Sequence, residues 1–349
     1  MADPRISLAL LAPGALPPAG RILLLRPRAT HDLGGLPRER LHLVQGFRPD
    51  FESLSAQGHA VSPDPEGSYG AAFVFVPRAR AEAEALLAEA AARVAPGGPI
   101  WVDGAKTDGI DAVLKALRAR LPVDDPISKA HGKIFRFASP GPQALADWLG
   151  RGFCPAPGFV ARPGVFSADG VDRGSALLGA ALPARLPARV ADLGAGWGWL
   201  AAQVLARDGV EECHLIEAEH AALAAARENI TDPRARFHWA DARTFRPADK
   251  FGRPADKFGA VVMNPPFHIG RAADPSLGLA FIAAAQAMLA PSGTLYMVAN
   301  RHLPYVAHLR ALFREVDELG DDPGFRLIRA MRPQTVPVPR VTPPPRARR

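Results

Sequence analysis

The sequence predicts an α/β protein with two domains. The chain has 349 residues and a mass of 37.1 kDa, a length for which two domains are the ordinary expectation. Short apolar runs of strand length alternate with helix-like segments in both halves, a pattern typical of parallel sheets flanked by helices. A Gly- and Pro-rich stretch around residues 137–162 separates the two halves, and we place the domain linker at residues 141–162.

The first half, residues 1–140, contains three predicted strands and two predicted helices. The strands are Arg21–Arg26, Ala71–Val76 and Pro99–Val102. The helices are Ala79–Val94, which is rich in the strong helix formers Ala, Glu and Leu, and Gly109–Arg120. No glycine-rich turn follows either of the first two strands. We therefore expect this half to be an α/β domain without a ligand site of its own.

The second half, residues 163–330, repeats this alternation with clearer boundaries. Five strands are predicted, at Arg189–Leu193, Glu212–Ile216, Ala235–Trp239, Ala260–Met263 and Gly293–Val298. Four helices are predicted, at Trp199–Ala206, Ala218–Asn229, Leu277–Leu289 and Leu303–Phe313. One further short helix is expected within the linker, near Ala144–Leu149.

The net charge of the chain is concentrated at one end. The formal charge is +7, yet both predicted domains are nearly neutral, and the segment Met331–Arg349 carries five arginines and no acidic residue. We expect residues 331–349 to form a disordered Pro/Arg-rich tail. Such a tail can contact phosphate, but the charge alone does not identify a nucleic-acid-binding protein.

Composition argues against several classes of protein. The chain has no run of 18 apolar residues, so no membrane-spanning helix is predicted. Pro13, Pro17 and Pro18 interrupt the apolar stretch near the N-terminus, which argues against export. The two cysteines, Cys154 and Cys213, cannot form a disulfide framework or a metal site by themselves, and the histidines show no zinc-binding spacing. We therefore expect a cytoplasmic protein that holds no metal.

The strongest local signal is a glycine-rich turn between a buried strand and a helix. The segment Val190–Gly198 reads VADLGAGWG, with glycines at 194, 196 and 198. Glycine permits a tight turn and lets a ligand lie against the backbone. The G-x-G-x-G spacing differs from the G-x-G-x-x-G of dinucleotide-binding folds and disfavours NAD.

Two acidic residues follow the next two strands in the order that a nucleoside-containing cofactor requires. Glu217 ends the second strand, nineteen residues after Gly198, and its carboxylate can accept hydrogen bonds from ribose hydroxyls. Asp241 follows the third strand and is placed to meet an adenine amine. A single acidic residue at a strand end is common on protein surfaces. The interpretation therefore depends on finding the glycine turn and both acidic residues in this order along the chain.

The most discriminating element follows the fourth strand and reads Asn264-Pro265-Pro266-Phe267. Two consecutive prolines restrict the backbone and leave carbonyls without neighbouring amide donors. The side-chain oxygen of Asn264 and the carbonyl of Pro265 can then both accept hydrogen bonds from one planar amino group, while Phe267 offers a face on which a base can stack. Such a grip draws the amine lone pair out of conjugation and directs it at an electrophile.

This order of motifs resembles the class I S-adenosylmethionine (SAM)-dependent methyltransferases that act on amino groups. More narrowly, it resembles the bacterial ribosomal RNA guanine-N2 methyltransferases of the small-subunit type. The narrower resemblance is carried by three stretches, which read PGVFSADGVDRGS over Pro163–Ser175, NPPFHIG over Asn264–Gly270 and VANRHLPY over Val298–Tyr305. It covers residues 159–330 closely and residues 21–137 loosely.

The resemblance implies two tandem Rossmann-like methyltransferase domains, of which the N-terminal one is degenerate and helps to hold RNA. It implies SAM as cofactor and ribosomal RNA or the small ribosomal subunit as partner. We further expect a monomeric enzyme. The expected cofactor contacts are Asp192, Gly194, Gly196, Gly198, Glu217, Asp241 and Asn264. The expected contacts with the guanine are Asn264, Pro265, Pro266 and Phe267.

Two features depart from the family pattern. Trp197 occupies a position in the glycine turn where the family often has a small residue. A perfect duplication, RPADKFG at Arg246–Gly252 and again at Arg253–Gly259, precedes the fourth strand, and we interpret it as a lengthened surface loop.

Other functions remain open from the sequence. The NPPF motif also serves methyltransferases that act on adenine in DNA or on a glutamine amide in protein, and the chain could be a non-catalytic RNA-binding assembly factor. A first half without a glycine turn favours ribosomal RNA, since a DNA enzyme is expected to carry a sequence-reading domain. A relic cofactor site would have no reason to keep the glycine turn, Glu217, Asp241 and NPPF together.

Overall fold

The structure is a computed structural model that describes residues 4–149, 152–247, 256–266, 268–269, 272–273 and 275–334. Two seven-stranded mixed sheets and one two-stranded ribbon are present in this part of the chain. Helices accompany both large sheets, as the alternation in the sequence predicts.

The first sheet has the strand order β3-β2-β1-β4-β5-β7-β6. Its strands are β1 (Ile22–Leu25), β2 (Leu41–Val44), β3 (Val61–Ser62), β4 (Ala71–Phe75), β5 (Pro99–Ala105), β6 (Ile127–Lys129) and β7 (Gly132–Ala138). β1 pairs in parallel with β2 and β4, whereas β7 runs antiparallel to β5 and β6. All four residues of β1 are buried and apolar, as expected for a central strand covered on both faces.

Helices cover both faces of the first sheet. They are α1 (Pro4–Ala9), α2 (Arg48–Ala56), α3 (Arg80–Arg93) and α4 (Ile110–Arg118). One apolar core packs α3 and α4 against the face that carries Leu23 and Leu25, and a second core packs α1 and α2 against the face that carries Ile22 and Leu24. This alternation follows from the two-residue period of a strand.

The second sheet has the order β10-β9-β8-β11-β14-β16-β15. Its strands are β8 (Arg189–Leu193), β9 (Glu212–Glu217), β10 (Ala235–Trp239), β11 (Phe258–Met263), β14 (Leu289–Asn300), β15 (Phe313–Glu318) and β16 (Phe325–Pro333). The ribbon consists of β12 (His268–Ile269) and β13 (Ala272–Ala273). The helices are α5 (Arg173–Ala181), α6 (Trp199–Leu205), α7 (His220–Asn229), α8 (Pro275–Met288) and α9 (Tyr305–Leu312).

The two large sheets share one topology. Numbered within each sheet, both read 3-2-1-4-5-7-6, with an antiparallel pair at one edge. The strand order reverses between β1 and β4 in the first sheet and between β8 and β11 in the second. In open α/β sheets, ligands bind beyond the carboxyl ends of the strands at such a reversal. The predicted α/β fold class with two tandem Rossmann-like sheets is confirmed.

The chain divides into two compact units. One comprises Met1–Asp172, Ala195–Ala202 and Leu215–Asp241. The other comprises Arg173–Gly194, Gln203–His214 and Ala242–Arg349. The first of these units therefore contains the whole first sheet together with the loop that follows β9.

All predicted strands and helices are present, with ends that shift by a few residues. The predicted helix at Gly109 begins one residue later, because Gly109 has a φ of 87° and caps α4 instead of entering it. A short 3₁₀ helix, Ala146–Trp148, forms near the helix predicted within the linker. Strands β2 and β3, the antiparallel strands of both sheets, the ribbon β12–β13 and helices α1, α2 and α5 are not among the elements predicted from the sequence.

In the part of the chain that the structure describes, no helix is both long and apolar enough to cross a membrane. Among the same residues, no group of three or more His, Cys, Asp or Glu side chains is arranged to hold a metal ion.

Candidate active site

The glycine turn follows the carboxyl end of β8. Gly194, Gly196 and Gly198 have φ values of 74°, 56° and 96°, all in the left-handed region that favours glycine. A Cβ at Gly198 would lie 2.8 Å from Cδ1 of Ile230, so the backbone there packs too closely for a side chain. A Cβ at Gly196 would have no heavy atom within 4 Å, which leaves its backbone accessible to a ligand. The turn therefore has the form that a backbone cradle for a cofactor requires.

The Glu217 carboxylate is held in place by two backbone N–H groups. The N–H of Gly196 donates to one oxygen over 2.8 Å, and the N–H of Glu219 donates to the other over 2.7 Å. Burial raises the pKa of Glu217, and the nearby charge of Glu219 adds to this, while the backbone hydrogen bonds act in the opposite direction. The strand-end acid is thus fixed beside the glycine turn, as the sequence predicts.

Asp241 and Asp192 are both buried. Asp241 lies two residues after β10 and is 9% exposed, and the N–H of Ala240 donates to the carbonyl of Glu217 over 2.9 Å. This bond ties the segment before Asp241 to the end of β9, so the two predicted acids lie on neighbouring segments. Asp192 is fully buried in β8.

Asn264 directly follows β11, and its side chain has a defined partner. Its Nδ2 donates a hydrogen bond over 2.9 Å to the hydroxyl of Ser175 on α5, a residue only 8% exposed. The amide nitrogen is therefore directed at Ser175, and the side-chain oxygen, the predicted acceptor for an amino group, is directed away from it. Pro265 is buried and Pro266 is exposed.

Phe267 lies outside the residues that the structure describes. The same holds for most of the RPADKFG duplication, residues 248–255, and for the tail from residue 335 onward.

The ring of Trp197 packs within an aromatic cluster. It is 4% exposed and lies with its ring centroid 5.4 Å from that of Phe159 and 6.2 Å from that of Trp199. Asn229 donates from its amide nitrogen to the backbone carbonyls of Trp197 and Val160, both over 2.8 Å. The bulky residue in the glycine turn is thus accommodated by packing against the segment around Phe159.

Ser175 contacts a predicted site residue, although the sequence indicates it only as part of the motif PGVFSADGVDRGS. Serine at a helix start is ordinarily interpreted as a capping residue, and nothing local in the sequence connects it with Asn264, 89 residues later. Only the pairing of distant segments brings the two side chains together.

Comparison with known proteins identifies the family. The model of the methyltransferase small domain matches residues 157–329. The ribosomal RNA small subunit methyltransferase C of Pseudomonas paraeruginosa is 32% identical over 276 residues, which cover 77% of this chain and 81% of that protein. The protein of the same name from Shewanella amazonensis is 28% identical over 290 residues, which cover 81% of each chain.

A solved structure matches almost the whole chain. The 16S rRNA N2-methyltransferase of guanine 1207 from T. thermophilus, in complex with AdoMet and guanosine, superposes with a TM-score of 0.75 at 25% identity. The match covers 95% of this chain and 92% of that protein, so the similarity includes both seven-stranded sheets.

Proposed function

Because the chain belongs to the ribosomal RNA small subunit methyltransferase C family, we infer that it methylates the exocyclic N2 amine of a guanine in 16S ribosomal RNA, with SAM as the methyl donor. We propose guanine 1207 as the target, the base that the T. thermophilus relative modifies. When bound, SAM supplies an electrophilic methyl group on its sulfonium sulfur.

We propose that the residues around the glycine turn bind this cofactor. The contacts proposed are Asp192, Gly194, Gly196, Gly198, Glu217, Asp241 and Asn264. Three left-handed glycines, an accessible backbone at Gly196 and a carboxylate oriented by two N–H groups support this proposal, because they provide close backbone approach and an acceptor for ribose hydroxyls. In the sheet order, β8 stands between β9 and β11, so these residues follow three neighbouring strands.

We propose that Asn264, Pro265, Pro266 and Phe267 hold the guanine. The Asn264 side-chain oxygen and the Pro265 carbonyl accept hydrogen bonds from the amino group and direct its lone pair at the methyl carbon. The protein then contributes proximity and alignment and needs no nucleophile of its own. Because the amine must leave any base-paired stack to enter this grip, the target is a flipped-out or unpaired guanine.

The proposal assigns a role to each part of the chain. We assign residues 1–140 to RNA binding and structural support, residues 141–162 to a linker, residues 163–330 to catalysis, and residues 331–349 to a basic tail that can contact phosphate. We propose that the enzyme acts as a monomer in the cytoplasm, where ribosomal subunits are assembled.

The observation that carries the proposal is the Asn264–Ser175 hydrogen bond, because it orients an acceptor oxygen directly after the strand that precedes the two prolines. The test is to incubate purified protein with labelled SAM and either 16S rRNA or small subunits, then to digest the RNA and separate the nucleosides. We expect N2-methylguanosine, and an Asn264→Ala variant should produce none. Label on glutamine in the proteins of the small subunit, or on adenine in a parallel reaction supplied with DNA, would show that the enzyme acts on another amine. Absence of label with intact SAM binding would favour a non-catalytic assembly factor.

A further inference from the structure

Arg26 occupies the position in the first fold that Gly194 occupies in the second. Each residue immediately follows the first strand of its sheet, β1 or β8. Each also has a left-handed φ, 61° for Arg26 and 74° for Gly194. A side chain of this size is rare in that conformation and persists only where its surroundings hold it there.

Two carboxylates hold the Arg26 guanidinium. Its Nε lies 2.6 Å from Oε1 of Glu82 on α3, and one terminal nitrogen lies 2.9 Å from Oε2 of Glu219. The other terminal nitrogen donates to the side-chain oxygen of Gln45 over 3.2 Å. These groups line a cavity of about 630 Å³ beyond the carboxyl ends of β1, β4 and β5. The first fold thus places charged side chains where the second has its glycine turn.

Glu219 belongs to the loop that follows β9, and this loop is joined to the loop that follows β2. The N–H of Arg48 donates to the carbonyl of Ala218 over 2.8 Å, and the N–H of His220 donates to the carbonyl of Gly46 over 2.9 Å. The indole N–H of Trp239 donates to both of those carbonyls, over 3.1 Å to Gly46 and 2.9 Å to Ala218. Glu219 is therefore held through its backbone and through its side chain.

The backbone N–H of Glu219 is also one of the two donors that orient the Glu217 carboxylate. From these contacts we propose that Arg26 is a positioning residue for cofactor binding: it holds Glu219, and through the Glu219 N–H it holds Glu217 in the orientation that accepts the ribose hydroxyls of SAM. This inference rests on the proposed role of Glu217 in binding the ribose. It adds Arg26, a residue of the first fold, to the residues that support SAM binding.

Removal of the guanidinium has a specific physical consequence. Arg26 is the cation shared by Glu82 and Glu219, whose carboxylates are 15% and 22% exposed. Without it, two partly buried carboxylates lose their common counter-charge, so Glu219 is driven toward solvent. The Glu219 N–H that fixes Glu217 then keeps the main-chain bonds of Ala218 and His220 but loses the anchor that the Glu219 side chain provides.

The test compares Arg26→Gln with a matched control, Arg28→Ala, whose side chain is 52% exposed and pairs with Asp108. SAM affinity is measured by calorimetry, and methyl transfer is measured at saturating SAM. We expect Arg26→Gln to weaken SAM binding by about tenfold, the effect of losing an oriented bond to a charged group. The transfer rate at saturating SAM should remain near that of the wild-type protein, and Arg28→Ala should leave both values unchanged.

A double-mutant cycle separates positioning from general stability. In a Glu217→Gln background, Arg26→Gln should add little further loss of SAM affinity, because the group it orients is already neutral. Equal losses in both backgrounds, or an unchanged SAM affinity with only a lower unfolding temperature, would overturn the proposal. If Arg26→Gln does not fold, Arg26→Lys retains the charge without the forked geometry and should still weaken SAM binding several-fold. If Glu217→Gln alone leaves SAM affinity intact, the assignment of Glu217 fails, independently of Arg26.

Discussion

The side-chain amide of Asn264 donates a hydrogen bond to the hydroxyl of Ser175 over 2.9 Å, which gives the amide one orientation. The two ends of an amide have opposite hydrogen-bonding character, so an amino group can be gripped only by the oxygen end. In the proposed site, a partner on the nitrogen side leaves the oxygen end for the substrate amine. Ser175 lies on α5 and Asn264 follows β11, so the packing of this helix on the sheet would orient the proposed acceptor.

Substitution of Ser175 by alanine should slow methyl transfer without weakening SAM binding. The amide of Asn264 loses the acceptor that orients it, and we expect kcat to fall by about tenfold, the effect of one lost hydrogen bond. Ser175→Thr retains the hydroxyl and should retain most of the rate. Rates at saturating SAM and the SAM dissociation constant are the two measurements, and a large change in SAM affinity with an unchanged rate would contradict this role.

Asn264→Ala should abolish transfer while leaving SAM binding nearly intact. The substitution removes an acceptor for the guanine amine but leaves the glycine turn and Glu217 in place. Calorimetry with SAM and nucleoside analysis of methylated 16S rRNA measure the two properties in one preparation. Joint loss of binding and activity would show that Asn264 supports the fold rather than the transfer.

SAM affinity should depend on pH through Glu217. Burial raises the pKa of Glu217 above its ordinary value of 4.5. In the proposed site the ribose hydroxyls donate to the ionised carboxylate, so SAM binding should weaken as the pH falls through this raised pKa. The contribution of Glu217 to folding stability depends on pH in the opposite direction. It is greatest at a pH below the ordinary pKa of 4.5 and is lost as the pH rises through the raised pKa of the folded protein. Calorimetric titrations at a series of pH values from neutral down toward 4.5 test the binding.

Glu217→Gln is the control for this pH dependence. The amide cannot ionise, so the variant should bind SAM more weakly at neutral pH and show a flatter pH profile. An unchanged profile in the variant would assign the titration to another group.

Trp197→Ala should destabilise the protein markedly. The indole is 4% exposed and packs against Phe159 and Trp199, so its loss leaves a cavity costing about 3–5 kcal/mol. Phe166→Ala removes an aromatic ring that is 64% exposed and should change the unfolding free energy by less than about 0.5 kcal/mol. Denaturant unfolding compares the two variants, and equal stabilities would contradict the packing role of Trp197.

The elements that can be predicted from the sequence are those marked by a pattern of neighbouring residues. Strands β8 and β10 begin and end at the predicted residues, because each is a short strand-like segment followed by a turn. The glycine turn and Glu217 also lie where the strand–turn–helix pattern places them. Helix α5 was missed because Gly174 and Gly179 lower its helix propensity. A Cβ at Gly179 would lie 2.9 Å from Cγ of Gln203, so this glycine serves close packing, which no local pattern reveals.

Two of the missed strands contain polar residues that weaken their strand signal. β15 reads FREVDE, and its charged residues hide its place beside β16 at the sheet edge. β2 contains His42, a residue with little strand signal, whose ring is held by the hydroxyls of Tyr69 and Ser62 at 2.5 and 2.8 Å. Arg26 was missed for a related reason: its counterpart Gly194 is recognisable from the motif around it, whereas its own partner Glu219 is 193 residues away.

The most direct test of the central claim is the N2-methylguanosine content of 16S rRNA from a strain that lacks this gene. RNA from the deletion strain, and from strains complemented with the wild-type gene or with the Asn264→Ala variant, is digested and quantified by mass spectrometry for each ribosomal RNA separately. We expect N2-methylguanosine to fall in 16S rRNA alone, and to be restored by the wild-type gene but not by the variant. Unchanged N2-methylguanosine in the deletion strain would contradict the assigned reaction.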